Sequence, residues 1–200
     1  MRGVEQIPWL YDAFMTLMDA TGLRRWRRKL VAGARGPTLE VGCGTGRNLP
    51  LYPAGAAVIG LEPDWQSIAR ARRRAPHVPL VVARAEALPF RADTFDTVVS
   101  SLVFCSVSEP SRGLAEIRRV LRPDGELRML EHVRHHRPFW ARLQDRVQPF
   151  WTRCTGGCHP NRDTEAAVLQ AGFQIQQTDR AARGVMRRFS ARPSRNSPRL

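Results

Sequence analysis

Thr38-Leu39-Glu40-Val41 runs straight into Gly42-Cys43-Gly44-Thr45-Gly46, and no other passage constrains this chain as strongly. A short apolar strand followed by three alternate glycines describes a backbone that turns sharply and passes close to a ligand. Glycine has no Cβ to obstruct either move. The dinucleotide fingerprint would need its third glycine where Arg47 stands, and a phosphate loop would end in Gly-Lys-Ser/Thr, which is absent here. Glu40, two residues before the first glycine, is also a poor neighbour for a pyrophosphate. It suits a ligand with a positive charge, such as an ammonium or a sulfonium. Glu62 ends the next strand 22 residues later, where a carboxylate can accept both hydroxyls of a ribose. The ligand implied is cationic at one end and a nucleoside at the other.

The rest of the chain continues the alternation that the first strand begins. Strands are predicted at Ala57–Leu61, Val78–Ala83, Phe95–Ser100 and Glu126–Val133. Helices are predicted from the Asp64 cap through Arg74 and over Ser111–Leu121, where Leu114, Ile117, Val120 and Leu121 share a face. Arg122-Pro123-Asp124-Gly125 reads as the turn between helix and strand. Phe173–Thr178 and Val185–Ala191 are expected as late strands, the last pairing antiparallel. Strand–helix repetition of this kind gives an α/β fold: a doubly wound, Rossmann-like, mostly parallel seven-stranded sheet. Ligands then bind beyond the carboxyl ends of its strands.

These residues together resemble a class I S-adenosylmethionine-dependent methyltransferase over residues 37–179. Beside the glycine turn and Glu62, the resemblance rests on three further passages: Ala85-Glu86-Ala87-Leu88-Pro89-Phe90, Phe95-Asp96-Thr97-Val98-Val99-Ser100-Ser101, and Arg119 to Gly125. It implies S-adenosyl-L-methionine as cofactor, held by Glu40, Gly42, Gly44, Gly46, Glu62, Ala85, Glu86, Ser101 and Leu102, with no metal. Arg84 stands where many relatives carry Asp or Asn against the adenine, which leaves that task to the Ala85 backbone and Glu86. The acceptor is the harder question, since no Asn/Asp-Pro-Pro-aromatic motif follows the fourth strand. Leu102 to Val107, Glu131-His132-Val133, and Gly157-Cys158 with Asn161-Arg162 look most like the alkyl thiol methyltransferases. Ala85 to Phe90 is also similar to the ubiquinone/menaquinone C-methyltransferases. A small apolar acceptor follows, a thiol first, with C-methylation of a quinol ring or N-methylation of a lipid head group as alternatives. His132, at the end of the fifth strand, is the candidate base, since an imidazole titrates near neutral pH. Arg162 is a candidate for orienting an acidic acceptor, and Cys105 for a nucleophile or a wall of the acceptor pocket.

Charge offers an alternative of another class. The chain carries 32 basic and 18 acidic side chains, and all the basic ones but Lys29 are arginine. Seven basic residues against three acidic lie in residues 1–36, and seven against none in residues 180–200, so the middle is nearly balanced. A basic RNA- or lipid-binding protein with a residual cofactor site would use these ends. On the methyltransferase reading nucleic acid is not an obligate partner, and the ends make at most weak contact with anionic membrane or nucleic acid. Residues 1–36 are expected to form an N-terminal helical cap, with Ile7, Leu10, Phe14, Leu17 and Met18 at helical spacing. The cofactor domain is expected over 37–192, and residues 193–200 as a disordered basic tail. Residues 138–151 should form an apolar-faced helix beside the acceptor site. Four irregularly spaced cysteines (Cys43, Cys105, Cys154, Cys158), no secretory signal and no long apolar run point to a reduced, cytoplasmic setting. Cys154, Cys158 and His159 match no familiar zinc spacing.

Overall fold

The glycine turn leaves the centre of a seven-stranded sheet. In the computed structural model, which describes residues 7–194, β1 (Thr38–Val41) is buried along its whole length. It pairs in parallel with β2 (Val58–Leu61) on one side and β4 (Phe95–Ser101) on the other. The sheet continues outward through β3 (Leu80–Val81) beyond β2, and through β5 (Leu121–His132) beyond β4. An antiparallel hairpin, β6 (Phe173–Arg183) and β7 (Met186–Pro193), closes the far side and gives the order β3-β2-β1-β4-β5-β7-β6. The chain winds away in both directions from the β1/β4 pair, so a crevice opens beyond the carboxyl ends of those two strands.

Helices cover both faces. α3 (Trp65–Arg74) starts where expected, because the Asp64 carboxylate accepts from the Ser67 amide at 2.8 Å. Its inner face, Ile68 and Ala71, packs with Cys43, Leu49 and Val58. α4 (Pro110–Val120) buries Leu114, Ile117 and Val120 in the main core with Leu39, Val98 and Leu127. α2 (Arg24–Ala32) places Leu30 and Val31 against Val99 and Leu130 on the opposite face. α6 (Thr164–Gln170) joins the edge before β6.

Several local expectations change. β3 is two residues long rather than six; it is an edge strand, and Pro79 just before it has no amide to extend the ladder. The Arg122–Gly125 turn lies inside the span of β5: Phe95 pairs with Leu121 and Thr97 with Glu126, so the intervening residues loop out of the ladder. The N-terminal helices are present as α1 (Pro8–Met18) and α2, with the glycine at 22 at φ 114° in the segment joining them. α1, however, turns Met15 inward and leaves Phe14 and Leu17 exposed. The cause is Asp12, which ion-pairs with Arg47, Arg70 and Arg74 and so fixes the helix's rotation. β7 carries the ordered ladder through Pro193, and residues 195–200 of the expected tail lie outside the described residues. Among the described residues no helix is long and apolar enough to cross a membrane.

Candidate active site

Beyond β1 and β4 lies a cavity of about 490 Å³, built at one end from the glycine turn and at the other from the strand ends and α5 (Pro138–Thr155). Glu40, Gly42, Gly44, Glu62, Ala85, Glu86, Ser101, Leu102 and His132 all line it. Gly46 does not. It faces α3, where a Cβ would come within 2.9 Å of the Ala71 backbone, so its part is close helix–strand packing rather than contact with the cavity. Gly44 differs: its φ is +54° and a Cβ there would meet nothing within 4 Å, so the bare backbone faces open space.

The two acidic residues stand on different supports. Glu62, at the end of β2, accepts from the Gly44 amide at 3.1 Å and the Asp64 amide at 3.0 Å. Burial raises its pKa against these two bonds. Glu40 is buried and accepts from the Asn48 side-chain amide at 2.9 Å; burial pushes it up to about 7, opposed by Asn48, Tyr52 and Arg27. Arg27 comes from α2, buried, and reaches Asn48 Oδ1 at 2.9 Å and Ser101 Oγ at 3.3 Å, with Asp19 Oδ1 3.3 Å away. Sequence reasoning missed Arg27 and Asn48. In a run of arginines nothing singles out the one that turns inward, although its place on the face of Leu30 and Val31 is a usable signal.

At the far end the loop after β4 forms the wall. Leu102 sits at φ 59°, a conformation uncommon for a branched side chain, and its amide donates to the Leu130 carbonyl at 2.7 Å. Glu131, buried on β5, holds this loop by accepting from the Val103 amide at 3.0 Å, the Phe104 amide at 3.2 Å and Ser100 Oγ at 3.2 Å. Its pKa is raised to about 7 by burial, against the pull of those donors. The sequence marked Glu131 only as His132's neighbour. Glu86 lines the cavity, yet one of its oxygens is occupied by the Ser108 and Glu109 amides, at 3.1 and 3.3 Å. Arg162 is not directed at an acceptor. It donates to the Phe104 and Val107 carbonyls, each at 2.6 Å, and braces the loop from behind.

His132, Cys105, Cys158, Phe150 and Trp151 converge at this second end. Hydrogen bonds from the Cys105 thiol, His132 and Trp151 draw the Cys158 thiol below its ordinary range despite its burial. The four cysteines are thiols, none in a disulfide. Among the described residues no three His, Cys, Asp or Glu side chains gather in a way that could hold a metal ion.

Comparison with known proteins agrees with this geometry. Residues 39–129 match the family described as methyltransferase domain. The chain is 38% identical over 163 residues to the human thiol S-methyltransferase TMT1B, covering 76% of this chain and 66% of that protein, just under two thirds of its length. It is 39% identical over 157 residues to phosphatidylethanolamine N-methyltransferase of Cereibacter sphaeroides, covering 75% of this chain and 76% of that protein. A SAM-dependent methyltransferase of Thermotoga maritima shares the fold, with a TM-score of 0.73 at 20% identity over 94% of this chain and 96% of that one. The sheet order, the glycine turn with its two acids, and sequence identity across three quarters of the chain place this protein in the S-adenosylmethionine-dependent methyltransferase family.

Proposed function

We propose that the protein transfers a methyl group from S-adenosylmethionine to a small, neutral, apolar acceptor, a thiol before a quinol or a lipid head group. The cavity suits the cofactor. Gly44 leaves room for a ligand against bare backbone, Glu62 offers two carboxylate oxygens for ribose hydroxyls, and Glu40 offers a buried countercharge for a cationic end. Gly42 keeps its turn next to Val103, where a Cβ would come within 2.4 Å of that side chain. Ala85, Glu86, Ser101 and Leu102 complete the cofactor wall on this reading. Bound S-adenosylmethionine supplies a methyl already activated by its sulfonium. What remains for the chain is to hold the acceptor in line, exclude water and accept a proton if the acceptor carries one.

One observation carries the choice of acceptor. Every acidic side chain lining the cavity (Glu40, Glu62, Glu86) belongs to the cofactor half, and the acceptor half is built from Cys105, His132, Phe150, Trp151 and Cys158. An ammonium head group would enter without a carboxylate partner, with only the Cys158 thiol, its pKa lowered, to meet the charge. A neutral thiol loses only a proton, and His132 is the one histidine in the cavity wall to receive it. The test is a set of initial rates with small aliphatic and aromatic thiols, a demethylated quinol and phosphatidylethanolamine. Thiols turning over at least about tenfold faster in kcat/KM support the reading; a preference for the amine overturns it.

A further inference from the structure

α5 is turned inside out. Its inner stripe is polar: Gln144 donates to the Val133 and Pro160 carbonyls at 3.4 Å and accepts from the His135 amide at 2.6 Å, and Thr152 donates to the Cys158 carbonyl at 2.8 Å. Its outer stripe is apolar. Phe139 and Phe150 are each 71% exposed, and Trp140, Leu143, Val147 and Trp151 are exposed alongside them. A helix serving only its own fold would bury that stripe, because apolar area is what rewards burial. Arg142, Arg146 and Arg153 project along one flank of it at i, i+4 and i+11, all exposed. None has an acidic partner within 4 Å among the described residues.

The second apolar surface is on α1, where Trp9 is 62% and Leu17 61% exposed and Phe14 is exposed as well. Phe14 of α1 and Phe150 and Trp151 of α5 all line the cavity, so the two outward apolar faces flank a single mouth. Exposed Trp, Phe and Leu on one face with arginine beside them is the pattern of a helix lying in the plane of a membrane interface. The arginines match anionic lipid in charge.

We infer that α5, with the outer face of α1, is an interfacial docking surface that seats the cavity mouth on an anionic lipid bilayer, from which an apolar acceptor enters. The docking stands on the surface alone; the acceptor's route rests on the methyl-transfer reading above. A membrane-dissolved acceptor reaches the site without crossing water, and contact with the bilayer closes the mouth against solvent.

The test is co-sedimentation of the full chain, without S-adenosylmethionine, with mixed phosphatidylcholine–phosphatidylglycerol vesicles and with pure phosphatidylcholine vesicles. Two variants accompany it: Phe139→Ser with Leu143→Ser, and Arg142→Glu with Arg146→Glu. All four side chains are exposed and outside the cavity wall, so circular dichroism should show both variants folded. The wild type is expected on the mixed vesicles, and each variant is expected to bind at least about tenfold more weakly. Wild type that stays in the supernatant overturns the proposal. So does a serine variant that sediments like wild type, since binding would then be bulk cationic charge. A wild-type dimer in ultracentrifugation that the serine variant dissolves would assign the face to a second copy instead. Binding of S-adenosylmethionine in free solution reports separately on the methyl-transfer reading.

Discussion

Glu40 and Glu131 are buried carboxyls on β1 and β5, either side of β4, each pushed up to about 7 from an ordinary 4.5, chiefly by burial. The folded protein therefore keeps protons that the unfolded chain would release. Stability from this source is full below about pH 4.5 and is lost as the pH rises through about 7. Glu40→Gln keeps a neutral side chain at every pH, so its melting temperature relative to wild type should rise between about pH 5 and pH 8; a flat difference would contradict the assignment. The same carboxyl should make cofactor affinity pH-dependent, because a cationic ligand favours its ionised form. Calorimetric affinity for S-adenosylmethionine should increase through about pH 7 in wild type and stay level in Glu40→Gln. At the acceptor end, His132→Ala should lower kcat for a thiol by about 10²-fold while leaving cofactor affinity within about twofold. Equal loss of both would make His132 a packing residue.

The elements that hold these residues were legible to different degrees. β1 and α3 could be read almost to the residue, because each is bounded by a local signal: the glycine turn after Val41, and the Asp64 cap before Trp65. Signals of that kind act within a few residues, so no partner needs to be known. β3 was misjudged in length because an edge strand's extent depends on its single neighbour. The rotation of α1 was hidden for a similar reason. Phe14 and Leu17 have the spacing of a buried face, but Asp12 meets Arg47 and Arg74 from distant parts of the chain, and those ion pairs turn the helix. Arg162, read as an acceptor-binding side chain, braces carbonyls of a loop that a linear reading cannot bring to it. Gly46 joins the glycine turn by pattern, yet it belongs to the packing of α3. Gly46→Ala should therefore cost about 1–3 kcal/mol of stability in chemical denaturation, through both its φ of 79° and the contact at Ala71. Its effect on cofactor affinity in the remaining folded protein should be smaller than that of Glu62→Ala.

Across the whole molecule, the formal net charge of +14 is the property most easily mistaken for function. Several of the arginines are structural in use: Arg27 reaches into the site from α2, Arg47 and Arg74 clasp α1, Arg128 pairs with Glu126 and Asp179, and Arg162 braces the β4 loop. A methyltransferase acting on a small neutral acceptor should thus show a KM nearly independent of ionic strength in free solution. A polymer-binding protein would lose affinity steeply as salt rises. Beneath both lies the cavity at the point where the sheet's winding reverses, with Glu62 at the end of β2 facing it. The most direct test is calorimetric titration of wild type and Glu62→Ala with S-adenosylmethionine. Micromolar binding by wild type, weakened at least tenfold in the variant, a loss of about 1.4 kcal/mol, is what this site predicts. A folded wild type that does not bind, or a Glu62→Ala variant that binds equally well, would contradict it.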